Sequence, residues 1–168
     1  GNPKIGLFLG PASSVVGEVI PVSIGLPEDL PIGINKEMLT PEWARTHLPS
    51  RSNISYKGSF GRVLALAGSR NYVGAPVLAC LGALRSGSGG VTLATIPSVQ
   101  SLVATQLTEA TYLLLAEVGI GEFAPSAASE LRKTMDGYDA FLLGCGLGQG
   151  ASIKTLIHHT ILSDPPLK

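Results

Sequence analysis

Lys57 to Thr95, KGSFGRVLALAGSRNYVGAPVLACLGALRSGSGGVTLAT, decides the fold. Its first apolar run, Arg62 to Ala67, reads as a buried strand that enters a Gly/Ser/Asn turn. A helix then opens at Gly74-Ala75-Pro76, and Val91 to Thr95 supplies a second strand. Pro76 lies just inside the helix start, where a missing N–H costs nothing, and Gly87 lies just past its end, where the chain must turn left-handed. The segment is a βαβ unit whose first loop aims free backbone N–H groups beyond the sheet. Those groups carry the positive end of the helix dipole, so a phosphate-bearing ligand is the expectation.

The alternation continues outward. Apolar strands are expected at Val63–Ala67, Val91–Thr95, Tyr112–Ala116 and Ala140–Leu143. Helices are expected between and after them, at Ala75–Ser86, Ser98–Leu107, Ser126–Met135 and Ser152–Leu162. Strands that are apolar on both faces and separated by helices imply an α/β fold with a parallel sheet covered on both sides. Upstream, residues 31–55 mix Pro31, Pro41 and Pro49 with charge and with Trp43, which predicts a linker with a short helix capped by Thr40 and begun by Pro41. Residues 1–30 are different again. Short apolar runs at Gly6–Leu9 and Val15–Ile24, broken by Gly-Pro and Gly, predict a small β-ribbon. Four strands make a small sheet, and the last helix stops at Ser163-Asp164-Pro165-Pro166 where another strand is due, so a longer natural protein is expected.

At 168 residues the chain can bury one real core. It is 45% hydrophobic and only 14% charged, where about a quarter is usual, so surface is expected to be buried against other subunits or further chain, with a homo-oligomer as the simplest form. A formal net charge of zero argues against nucleic acid or an anionic membrane as partner. No apolar run reaches the roughly 18 residues of a membrane span, and GNPKIGLFLG lacks the cationic start of a secretory signal. Cys80 and Cys145 fit neither a disulfide framework nor metal-ligand spacing, which points to a reducing, cytoplasmic setting with Cys80 as a small buried hydrophobe.

A second glycine-rich loop, Gly144-Cys145-Gly146-Leu147-Gly148-Gln149-Gly150, also joins a strand to a helix. Gly146, Gly148 and Ala151 have the G-x-G-x-x-G/A spacing of a dinucleotide site, but the only acidic residue near the required distance is Asp164, in a proline-rich break. The glycines serve either a tight turn or a backbone-lined ligand edge. Two such loops on one sheet favour the edge. The first loop, Gly68 to Gly74, lacks the Gly-Lys-Ser/Thr ending of a P-loop. Lys57 and Tyr72 are candidate phosphate or ligand contacts, and Arg85 is expected to cap the C-terminal turn of its helix. His47, His158 and His159 read as surface residues, Asp136 and Asp139 as turn formers, and Glu109 beside Thr108 as a solvated helix end. No side chain stands out as a general base or nucleophile.

Taken together, KGSFGRVLALAGSRNYVGAP, ALRSGSGGVTLAT and DAFLLGCGLGQG resemble the ADP/ATP-dependent NAD(P)H-hydrate dehydratases, a family of ribokinase-like fold, over residues 50–165. Residues 1–30, with Pro3-Lys4-Ile5-Gly6-Leu7, Gly17-Glu18-Val19 and Ile24-Gly25-Leu26-Pro27, are similar to the last strands of an NAD(P)H-hydrate epimerase domain, which precedes the dehydratase in bacterial bifunctional enzymes. The resemblance implies three parts: an epimerase end at 1–30, a linker at 31–55, and the N-terminal half of a ribokinase-like dehydratase at 56–168.

It also implies metabolite repair. The epimerase interconverts the two epimers of hydrated NAD(P)H, and the dehydratase phosphorylates the C6 hydroxyl and eliminates phosphate to restore NADH or NADPH. ADP or ATP with Mg2+ would serve the dehydratase, and K+ the epimerase, at a site outside this chain. By resemblance Ala75 and Gly146 line the hydrate site, while Gly74 and Gly148 let the backbone approach. Tyr56, Cys145 and Thr108 depart from the family's usual His, Pro and Pro at those positions. The family's Asn-Pro-His-Pro-Gly segment, nucleotide-binding Lys-Gly loop and Gly-Ser-Gly-Asp motif with the catalytic aspartate do not occur in these residues. The chain alone is therefore expected to hold part of a substrate site and to be inactive. A ribokinase-type kinase of a sugar or vitamin, and a non-catalytic nucleotide-binding module, are the competing expectations.

Overall fold

The computed structural model describes residues 3–27, 33 and 38–162, and the chain divides between Ser50 and Arg51 into two compact units. In the first unit, Ile5–Leu7 and Ala12–Ser14 form single 3-10 turns. Helix α1 (Pro41–His47) starts as expected: the Trp43 N–H donates to Thr40 Oγ1 at 3.1 Å, and Pro41 fills the first helical position. The Trp43 ring stacks on His47 with centroids 3.8 Å apart.

The expected β-ribbon is not formed among residues 3–27, and residues 16–24 lie outside any helix or strand. Its apolar residues are left largely exposed: Val15 is 84% exposed and Ile20 71%. Pro11 and Pro21 remove ladder donors as well, and a two-stranded ribbon without a packing face is marginal in water.

The second unit is the α/β domain. Strands β1 (Arg62–Ala67), β2 (Gly90–Thr95) and β3 (Thr111–Leu114) alternate with helices α2 (Gly74–Ser86) and α3 (Pro97–Val103). A hairpin of β4 (Glu117–Val118) and β5 (Glu122–Phe123) follows, then α4 (Ala127–Met135), β6 (Ala140–Gly144) and α5 (Ala151–Ile161). The main sheet is parallel in the order β3-β2-β1-β6, flanked by helices, and it pairs Leu64 with Thr92 on one side and with Phe141 on the other. Leu64, Leu66 and Leu93 are fully buried at its centre, each contributing about 1.5–3 kcal/mol of apolar burial.

Two expectations need adjusting. Helix α3 ends four residues before Leu107, because the N–H groups of Gln106 and Leu107 both turn onto the Val103 carbonyl and Leu107 drops into the core. The β4–β5 hairpin was not anticipated; two-residue strands are too short to show alternation, and Gly119 and Gly121, at φ +64° and +96°, shape its turn. Helix α2 ends as expected on Gly87 at φ +111°, but its last carbonyls go to the Gly87 and Ser88 N–H groups and the Ser88 hydroxyl, while Arg85 stays exposed.

The N-terminal end of the sheet is closed by the chain itself. Asp139 Oδ2 accepts the Arg62 N–H at 2.7 Å, and the Asp139 N–H donates back to the Arg62 carbonyl at 2.9 Å. The Gly89 N–H donates to the Gly61 carbonyl at 2.8 Å, and the 3-10 turn Lys57–Phe60 lies so close that a Cβ on Gly89 would overlap the Lys57 carbonyl.

Strand order locates the other end's function. The chain steps from β1 to β2 to β3 in one direction, then returns to lay β6 on the opposite side of β1. The reversal between β1 and β6 is a topological switch point, and ligands of open α/β sheets bind outside the carboxyl ends of the strands there.

Candidate functional site

The two loops that leave the sheet at the switch point are Gly68–Val73, after β1, and Cys145–Gly150, after β6. They are fastened together. The Gly68 N–H donates to the Cys145 carbonyl at 3.1 Å, and the half-buried Ser69 hydroxyl donates to the Gly146 carbonyl at 2.7 Å. Gly146 sits against the start of α2: a Cβ built on it would lie 2.7 Å from Tyr72 Cβ and 2.8 Å from Ala75 Cβ. Its φ is +86°, so both its conformation and its neighbours demand glycine. Gly144 and Cys145 before it also have positive φ, at +128° and +51°. The loop is thus held left-handed over three residues, with Leu147, 6% exposed, anchored in the core beneath.

Both helices that follow start without a side-chain cap: α2 after Val73 and α5 after Gly150. Their first N–H groups stay available to an outside acceptor. A Cβ on Gly74 or Gly148 would meet nothing within 4 Å, so space remains open over both. The structure therefore brings Tyr72, Gly74, Ala75, Gly146 and Gly148 to one edge. Lys57 is not there. It precedes β1, a strand length of about 20 Å away at the closed end. Thr108 and Glu109 likewise precede β3, at the far end of the sheet.

Sequence reasoning missed the groups that shape the site's flank. Glu117, on β4, accepts the Ser98 N–H at 3.1 Å at the start of α3 and the Gly121 N–H at 2.6 Å across the hairpin turn. Partial desolvation pushes its carboxyl up, but hydrogen bonding from Ser98 and the Gly121 N–H, with the Arg70 charge, outweighs this and holds it below the ordinary value. The Arg70 stem runs beside Gly121, where an added Cβ would lie 2.9 Å from Arg70 Cδ, so the first loop also packs against the hairpin. Glu130, on α4, accepts the Ala116 N–H at 3.2 Å and the Ser126 hydroxyl at 3.2 Å. At the end of β2, Thr95 is fully buried and its hydroxyl has no hydrogen-bond partner among the described residues. Residue separation hid the Glu117–Ser98 and Glu130–Ala116 links, which span 19 and 14 residues. A carboxylate following a strand end is the sole signal that sequence offered.

No group of three or more His, Cys, Asp or Glu among the described residues could hold a metal ion. His158 and His159 meet edge to face, 5.5 Å between centroids, on an exposed stretch of α5. This edge can bind and orient through backbone groups.

Comparison with known proteins gives this geometry a family. A family model described as NAD(P)H-hydrate dehydratase matches residues 63–167. The chain is 34% identical over 157 residues to the bifunctional NAD(P)H-hydrate repair enzyme Nnr of Moorella thermoacetica, covering 92% of this chain and 30% of that protein. It is 36% identical over 134 residues to the ADP-dependent (S)-NAD(P)H-hydrate dehydratase of Bacillus subtilis, covering 80% of this chain and 45% of that protein. The chain therefore spans less than half the length of these relatives. Among solved structures, the ADP/ATP-dependent NAD(P)H-hydrate dehydratase from Bacillus subtilis co-crystallized with ATP/Mg2+ superposes with a TM-score of 0.55 at 35% identity, over 74% of this chain and 42% of that one. A ribokinase-like superfamily protein from Enterococcus faecalis gives 0.55 at 25% identity, over 67% and 36%. With its parallel sheet, its two clasped glycine loops and these matches, the chain belongs to the NAD(P)H-hydrate dehydratase family, with a ribokinase-like fold.

Proposed function

We propose that this chain forms the hydrate-binding half of a nucleotide-dependent NAD(P)H-hydrate dehydratase, which returns hydrated NADH or NADPH to the reduced cofactor. One observation carries the reading: Ala75, in the first turn of α2, and Gly146, in the loop after β6, lie side by side at the switch point beside two uncapped helix starts. Backbone N–H groups there can meet the phosphates or hydroxyls of a dinucleotide, and the open space over Gly74 and Gly148 lets it approach the main chain. Tyr72, 57% exposed at the same edge, is the side chain offered to it. Within this reading ADP or ATP is the co-substrate and Mg2+ accompanies it. The described residues supply no metal-binding cluster of their own.

Residues 1–30 are read as the end of an epimerase domain, whose K+ site would lie outside this chain, 31–55 as linker and 56–168 as dehydratase. Homo-oligomer formation is part of the proposal, supported by apolar side chains left exposed on the second unit, such as Leu78 at 75% and Ile120 at 74%. No helix of the described residues is long and apolar enough to cross a membrane, and a cytoplasmic location is proposed on the nature of the substrate.

The test uses the chain within a protein of its relatives' length. NADH hydrate is supplied with ADP or ATP, and recovery of reduced-nicotinamide absorbance is followed. Nucleotide-dependent recovery that disappears in Ala75→Leu supports the reading. Phosphorylation of a sugar or vitamin without hydrate repair points to a ribokinase-type kinase, and nucleotide binding without turnover to a binding module.

A further inference from the structure

The clasp between the two loops involves two successive carbonyls. Cys145 gives its carbonyl to the Gly68 N–H and Gly146 gives its own to the Ser69 hydroxyl, at 3.1 and 2.7 Å. A trans peptide is planar, so its N–H points opposite to its C=O. With both carbonyls drawn toward the first loop, the N–H groups of Gly146 and Leu147 are turned away from it. The backbone alone would not keep them so. Gly146, at φ +86° and without a side chain, puts little steric resistance on rotation about its own ψ, so the Gly146–Leu147 peptide can tilt. Gly68 acts through its main chain. Ser69 acts through a side chain, and its own position is fixed by a turn in which the Tyr72 N–H donates to the Ser69 carbonyl at 2.9 Å.

We propose that Ser69 is a positioning residue for the ligand edge: its hydroxyl holds the Gly146 carbonyl, and so aims the N–H of the Gly146–Leu147 peptide at the bound molecule. The inference rests on the functional reading given above. Without the hydroxyl, the half-buried Gly146 carbonyl loses its donor and the plane can tilt. The Leu147 N–H then leaves its aim, and a phosphate or other anionic group loses a donor. Ser69 touches no reacting atom, so the effect falls on binding.

The experiment compares Ser69→Ala and Ser69→Thr in the relatives'-length protein, with NADH hydrate and ADP or ATP, alongside amide hydrogen exchange without substrate. Ser69→Ala is expected to raise the hydrate KM about tenfold, the scale of one lost hydrogen bond, with kcat nearly unchanged. Ser69→Thr keeps the hydroxyl and is expected to restore KM. The Gly68 amide, held by the Cys145 carbonyl in the same clasp, is expected to exchange faster in Ser69→Ala alone. An unchanged KM, or a raised KM with unchanged exchange at the Gly68 amide, overturns the proposal. Failure of the unaltered protein to repair hydrate would instead sink the functional reading, and faster exchange in Ser69→Ala would then still establish the clasp while its absence would remove it.

Discussion

Gly146 and Ala75 approach so closely that a side-chain carbon on the glycine would lie 2.8 Å from the alanine Cβ. Real Cβ contacts are not that short, and the φ of +86° already excludes an unstrained L residue. Gly146→Ala is therefore expected to destabilise the domain by about 1–3 kcal/mol, read as a lower urea midpoint at unchanged slope.

Two further glycines should respond in opposite directions. Gly68, at φ +84°, faces the Pro76 ring, and an added Cβ would sit 2.7 Å from Pro76 Cγ. Gly68→Ala should cost about 1–3 kcal/mol. Gly82, inside α2, has nothing within 4 Å of a Cβ. Gly82→Ala should stabilise by about 0.5–1 kcal/mol, because alanine loses less backbone freedom in a helix. Equal shifts for the two variants in thermal melting would contradict this account.

Glu117 gives the domain a pH dependence with a definite sign. Its carboxyl is held below the ordinary value of 4.5 in the native state, so the unfolded chain takes up the proton first as the pH falls. The stabilisation is present above that ordinary value and is lost as pH drops through the depressed native one. Melting curves should show the native protein above Glu117→Gln at neutral pH, with the gap closing in acid. A gap that widens on acidification would show the sign to be wrong.

The two thiols should differ in reactivity. Burial first, and then the nearby Cys145, push Cys80 up to about 11, and Cys80 is fully buried, whereas Cys145 is exposed. Only thiolate attacks a disulfide reagent. One thiol per chain should titrate rapidly with an aromatic disulfide in native buffer, and both after unfolding. Two rapid thiols in the native protein would refute the burial of Cys80.

The strands were legible because a parallel sheet buries both faces, which leaves continuous runs such as Val63–Ala67 that no exposed element would carry. Helix α2 was legible because Pro76 and Gly87 mark its limits. The ribbon expected at Val15–Ile24 rested on apolar character alone, and Val15 and Ile20 turned out largely exposed, with no sheet to join. Apolar runs specify burial only where a partner face exists. The site was half legible. Glycines after strands mark loops that need unusual φ, and strand order then brings those loops together. The Ser69–Gly146 bond spans 77 residues, and Glu117 reaches Ser98 across 19, so both depend on how elements come together rather than on any local pattern.

Gly89 carries the last consequence. Its N–H is held by the Gly61 carbonyl, and no side chain fits between it and the Lys57 carbonyl, so main chain is pressed on main chain at that end of the sheet. The domain is therefore built unevenly along its strands. A side chain at Gly89 would have to prise main chain from main chain and should register as lost stability, whereas open space lies over Gly74 and Gly148 at the opposite end.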